Sequence, residues 1–145
     1  MRVVITKQDN KVAFVGKVEN FEGLKKIIRR LQEEDKKYGV NNAYNVSNFS
    51  ELIKKDLLTL EKQRLNRILD QYGYINLGDV QYYASQNDQE AQALLGWYQA
   101  YDDGIWNWID NTLPNYQTLD ELLNLDLKAI EEDIFNQSVQ KASLP

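Results

Sequence analysis

The chain has 145 residues, 22 of them acidic and 17 basic, and it contains neither cysteine nor histidine. That composition excludes disulfides, thiol nucleophiles, Cys/His metal sites, Ser-His-Asp triads and the usual near-neutral general base. The net charge of −5 conceals a division: residues 1–70 hold 15 Lys/Arg against 10 Asp/Glu, whereas residues 71–145 hold 2 against 12, and no basic residue stands between Arg67 and Lys128.

In chain order, Val3-Val4-Ile5 and Val12-Ala13-Phe14-Val15 are short β-forming runs around the polar stretch 7–11, a pattern that predicts a β-hairpin. Asn20 caps a predicted helix over 21–37. Leu24, Ile27, Ile28 and Leu31 form its apolar stripe, Lys25, Lys26, Arg29 and Arg30 its basic solvent face, and Gly39 its stop. Residues 41–48 read as a polar connector. The Asn48-to-Glu51 spacing suggests a capping box that opens a long helix to about Gln71, with Leu52, Ile53, Leu57, Leu60, Leu65, Ile68 and Leu69 inward. Lys54, Lys55, Lys62, Arg64 and Arg67 supply its solvent side.

A short helix is expected from Asn76 or Leu77, carrying Val80, Tyr83 and Ala84. A second capping-box spacing, Asn87 to Glu90, opens a helix running to about Asn111, before Pro114. A third, Thr118 to Glu121, precedes the leucine-rich end of the chain. The expected fold is α+β and mainly α, with the N-terminal hairpin packed on a bundle of about five helices. The expected organisation is one domain over 1–137, comprising the hairpin 1–20, the basic helices 21–70 and the acidic helical half 71–137. Residues 138–145 are expected to form a flexible tail.

The helix between Asp88 and Asn111 carries the most information. Ala91, Leu94, Leu95, Tyr98, Tyr101, Ile105 and Ile109 form one face, Trp97, Gly104 and Trp108 a second, and Trp106 falls between. A helix apolar on two sides is either buried on both or offers one side to a partner, and Trp and Tyr dominate such interfaces. Gly104 in mid-helix costs about 1 kcal/mol relative to Ala and suggests the close approach of another backbone. The candidate interface residues are Tyr82, Trp97, Tyr101, Asp102, Asp103, Trp106 and Trp108.

The run Gln71-Tyr-Gly-Tyr-Ile-Asn, then Tyr83-Ala-Ser-Gln-Asn, then Glu90-Ala-Gln-Ala-Leu-Leu-Gly-Trp97 and Ile105-Trp106, resembles a group of small tailed-bacteriophage proteins encoded near tail genes. Pro114 to Leu127 matches the Pro/Thr segment and capped leucine-rich helix that follow in that group. The resemblance spans about residues 55–130. In the group's pattern the two tryptophans stand five apart with Arg-Asp after the first. Here Trp97 and Trp106 are nine apart, with Tyr98-Gln99 following. Four extra residues are about one helical turn, so the facing is approximately kept. The hairpin and the basic helix before residue 50 lie outside the pattern. The resemblance implies virion or tail-assembly service and supplies no catalytic residues.

Only carboxylates remain as catalytic groups. Glu90 with Asp102, or Glu121 with Asp126, could be gathered into a metal or glycosidase pair, but solvated faces and helix N-termini explain these residues more simply. The expectation is therefore a protein without enzymatic activity or cofactor. It would act by protein–protein contact with phage virion proteins, in the virion or the host cytoplasm. An alternative is an inhibitor of a host DNA-binding or defence protein that uses the acidic half as a nucleic-acid mimic. The basic and acidic halves could also pair between copies in a homo-oligomer. Direct nucleic-acid binding is disfavoured by the sequence pI of about 4.8. With no run of about 20 apolar residues, no membrane span is expected.

Overall fold

A computed structural model describes residues 1–145. The chain is α+β and mainly α, with one three-stranded antiparallel sheet and six α-helices. It divides into two compact units, one formed by 1–56 with 116–125 and the other by 57–115 with 126–145.

In the first unit, β1 (Arg2–Lys7) and β2 (Val12–Lys17) form the expected hairpin, with Val4 opposite Val15 and Ile5 opposite Phe14. Its turn places Asn10 in the left-handed region (φ 64°), which asparagine tolerates because its side chain can bond locally. The connector proves to contain a third strand. β3 (Tyr44–Val46) joins the free edge of β1, with Ile5 opposite Val46, giving the order β2-β1-β3. Side chains extend this short pairing. The Val4 N–H donates to Ser47 Oγ at 2.8 Å, and the Ala43 N–H to Gln8 Oε1 at 2.9 Å.

Helix α1 (Phe21–Lys37) is capped by Asn20, which accepts from the Gly23 N–H at 2.8 Å. Gly39 follows its end at φ +68°, a conformation open to glycine without steric cost. Lys25 departs from the expected solvent face. It is buried, donates from Nζ to the Leu125 carbonyl at 2.6 Å, reaches Glu22 at 3.3 Å and lies over the Phe21 ring. A lysine stem packs as an apolar chain when its ammonium finds acceptors. α5 (Leu119–Leu123) completes this unit. Thr118 accepts from the Glu121 N–H and donates its hydroxyl to the Glu121 carboxylate at 2.9 Å.

Helix α2 (Phe49–Tyr72) starts in the first unit and continues into the second. Its expected capping box does not form, because Asn48 adopts φ 56° and turns its amide to the Arg2 carbonyl instead. In the second unit, α3 (Leu77–Ser85) is capped by Asn76, and α4 (Gln89–Asn107) by Asp88, one residue after the expected Asn87. Asn87 itself sits at φ 64°. Beyond α4 the helix does not stay α-helical to Asn111. It widens into a π turn over Trp108–Thr112, followed by a 3-10 turn over Leu113–Asn115. α6 (Leu127–Lys141), capped by Asp126, runs three residues past the expected start of a loose tail, and Ser138 is buried.

Candidate functional site

The second unit is organised around α4. Leu94, Trp97, Tyr101 and Ile105 follow helical spacing and are almost wholly buried, in one cluster with Leu57, Ile68 and Leu69 of α2 and Ile134 of α6. The expected Trp97/Trp108 interface face is therefore corrected: Trp97 and Tyr101 belong to the core. Their rings stack at 5.4 Å, and the Phe135 ring meets both edge-on. The indole N–H of Trp97 donates to Ser138 Oγ, whose own hydroxyl donates to the Phe135 carbonyl at 2.6 Å.

A charged network lies beside these rings. Arg64 of α2 donates to Glu131 of α6 through Nε at 2.9 Å and through a terminal nitrogen at 2.7 Å. The Tyr101 hydroxyl donates to the same carboxylate at 2.6 Å. The guanidinium also covers the Phe135 ring, 4.1 Å from its centroid. The bond to Glu131 raises the Arg64 pKa further, while burial and then the Glu131 carboxylate push the Tyr101 phenol upward. This arrangement replaces the expected solvent position of Arg64. The signal was present in the sequence: Leu127, Glu131, Ile134 and Ser138 share one helical stripe, as do Leu57, Glu61, Leu65 and Ile68.

On another side of α4, a groove of about 620 Å³ runs between α4 and α6, with the π turn at its end. Asp103, Asn107 and Trp108 line it from α4 and the π turn, and Asp133 and Gln137 line it from α6. Each carboxylate holds a glutamine one turn away, Asp103 with Gln99 at 2.9 Å and Asp133 with Gln137 at 3.0 Å. Gly104 forms the floor where the helices meet. A Cβ there would stand 2.8 Å from the Ile134 Cγ2, so the close neighbour is a side chain and not the expected backbone. Lys141 also lines it. Single π turns within α-helices are frequent at functional sites.

The groove thus gathers two of the expected interface residues, Asp103 and Trp108. Asp102 lies on the α2 side of α4, against Glu61. Tyr82 is 60% exposed on α3, with its ring against Tyr83, and Trp106 is 36% exposed. The candidate catalytic carboxylates are engaged elsewhere: Glu90 receives the Tyr74 hydroxyl at 3.2 Å, Glu121 pairs with its cap, and Asp126 caps α6. No group of three or more His, Cys, Asp or Glu side chains stands in an arrangement that could hold a metal ion. No helix is long and apolar enough to cross a membrane.

The first unit has its own cleft of about 1050 Å³, bordered by Arg29, Lys36, Tyr44 and Asp120. Four of its polar side chains are linked to one another. The Tyr44 hydroxyl donates to Asp35, Asn42 Nδ2 donates to the same carboxylate at 3.0 Å, and Gln8 Nε2 donates to Asn42 at 3.2 Å. Burial, reinforced by Asp35, pushes the Tyr44 phenol up to about 12.

Comparison of the chain with protein-family models, with curated protein sequences and with solved structures finds no match.

Proposed function

We propose that this chain is a non-enzymatic bacteriophage structural or tail-assembly protein that docks a basic segment of another virion protein in the α4–α6 groove. The observation that carries the proposal is the gathering of Trp108, Asp103 and Asp133 around one cavity. A lysine or arginine side chain entering there meets an indole and two carboxylates. Cation–π contact contributes about 0.5–2 kcal/mol, and charge-assisted hydrogen bonds to carboxylates are roughly twice as strong as neutral ones. α4 lies within the 60 residues from Ile68 to Leu127, which hold ten acidic side chains and no basic one. Such a field draws in cationic partners and raises the association rate. The resemblance to small tail-region proteins covers this same stretch and supports placing the partner in the virion.

The test is affinity capture on the immobilised chain from disrupted virions of the encoding phage, with the chain itself sought in intact particles by mass spectrometry. The expected result is retention of one virion protein, weakened by salt and by Asp103→Asn, and abolished by Trp108→Ala. Failure to retain any virion protein, together with absence of the chain from particles and assembly intermediates, overturns the proposal. Retention of a host DNA-binding protein instead favours the inhibitor reading.

A further inference from the structure

Glu61 belongs to the buried stripe of α2, 7% exposed, and its Oε2 has no hydrogen-bond partner among the protein's atoms. It faces the carboxyl of Asp102 on α4. Two ionised carboxylates offer four acceptor positions and no donor, so their contact would be repulsive in a desolvated place. Buried polar atoms are nearly always satisfied, and an orphaned carboxylate oxygen in such a pair therefore calls for a proton or a cation. The other groups around Glu61 do not supply one. From α4 the Tyr98 and Tyr101 phenols face it. On α2 itself Arg64, one turn on, is committed bidentately to Glu131 of α6, which also takes the Tyr101 hydroxyl.

We propose that Glu61 and Asp102 form a proton-binding site, in which the folded chain holds one proton between the two carboxyls and its release weakens the packing of α4 on α2. With the proton on Glu61, the contact becomes a carboxyl-to-carboxylate hydrogen bond and the orphaned oxygen is satisfied. Burial first, then the hydrogen bond with Asp102 and its charge, push the Glu61 carboxyl up to about 8. The same pair, after burial, raises Tyr98 to about 12. Because the folded chain holds this proton more tightly than the unfolded one, its contribution to stability is complete below the ordinary glutamate value of 4.5. It declines as the pH rises from there to about 8 and is lost above that. The site therefore contributes most to the stability of the second unit in acidic solution.

Carbon-13 carboxyl NMR of the intact chain reads the site directly. A Glu61 titration midpoint above about pH 6.5 supports the shared proton, and one below it overturns the proposal. Thermal unfolding gives a second reading. Glu61→Gln carries the donor permanently, so at pH 9 it should unfold roughly 3–8 °C above the wild type, with a smaller difference at pH 5. Asp102→Asn should lower the Glu61 midpoint by removing the neighbouring charge. An unchanged midpoint in Asp102→Asn, or equal pH dependence of unfolding in wild type and Glu61→Gln, contradicts the pairing.

Discussion

Trp97 donates its indole N–H to the Ser138 hydroxyl at 3.0 Å, a bond between two completely buried side chains on α4 and α6. It fixes the tryptophan as a core residue and explains why α6 continues past residue 138. Ser138→Ala leaves a buried indole N–H without an acceptor, at a cost of about 1–3 kcal/mol. Trp97→Phe removes the donor instead and leaves a cavity. Denaturant unfolding should show the double variant to be less destabilised than the sum of the two singles.

The Arg64–Glu131 pair predicts a larger asymmetry. Arg64→Met strands a buried carboxylate that retains only the Tyr101 hydroxyl, and costs about 3–5 kcal/mol. Adding Glu131→Gln to that variant removes the stranded charge while keeping an acceptor for Tyr101. Chemical denaturation should recover more than half of the loss.

At Gly104 two effects oppose each other. Alanine improves helix propensity by about 1 kcal/mol, but its Cβ would meet the branched Ile134 side chain at 2.8 Å. Ile134 is itself buried, so the overpacking, about 1–3 kcal/mol, should win. Gly104→Ala should lower the melting temperature, and Ile134→Ala in the same chain should cost less than it does alone.

In the first unit, Lys25→Met keeps the apolar stem and removes the donor to the Leu125 carbonyl. The expected loss is about 1–3 kcal/mol. If Lys25 instead lay on a solvated face, the substitution would be neutral within about 0.5 kcal/mol. Differential scanning calorimetry separates the two outcomes.

The hairpin, α1 and α3 to α6 were legible because each combines an apolar period with a cap or stop close in sequence, as at Asn20, Asn76 and Thr118. β3 was not. Three residues in an asparagine-rich connector carry no period, and their pairing depends on Ser47 and Gln8 reaching across from distant positions. At Asn48 the helix start was legible while the cap was not, since the side chain is claimed by Arg2. The candidate site was half legible. Asp103 and Trp108, both among the candidate interface residues, line one groove, but the aromatic count on α4 does not distinguish Trp97, whose N–H finds a buried acceptor, from Trp108, which lines that groove. Residue type sends Lys25 and Arg64 to solvent, although their positions on apolar stripes place them inward. Register prevails over charge where a partner or a proton is at hand.

The groove beside Trp108 is the proposed seat of the partner. A photo-crosslinking side chain at Asn107, which is exposed and borders the groove, measures this most directly. Irradiated with disrupted virions, it should join one virion protein at a lysine- or arginine-rich segment, while the same group at the exposed Gln63 on α2 should not. Equal crosslinking from both positions, or none from Asn107 under conditions where the chain captures a virion protein, would contradict it.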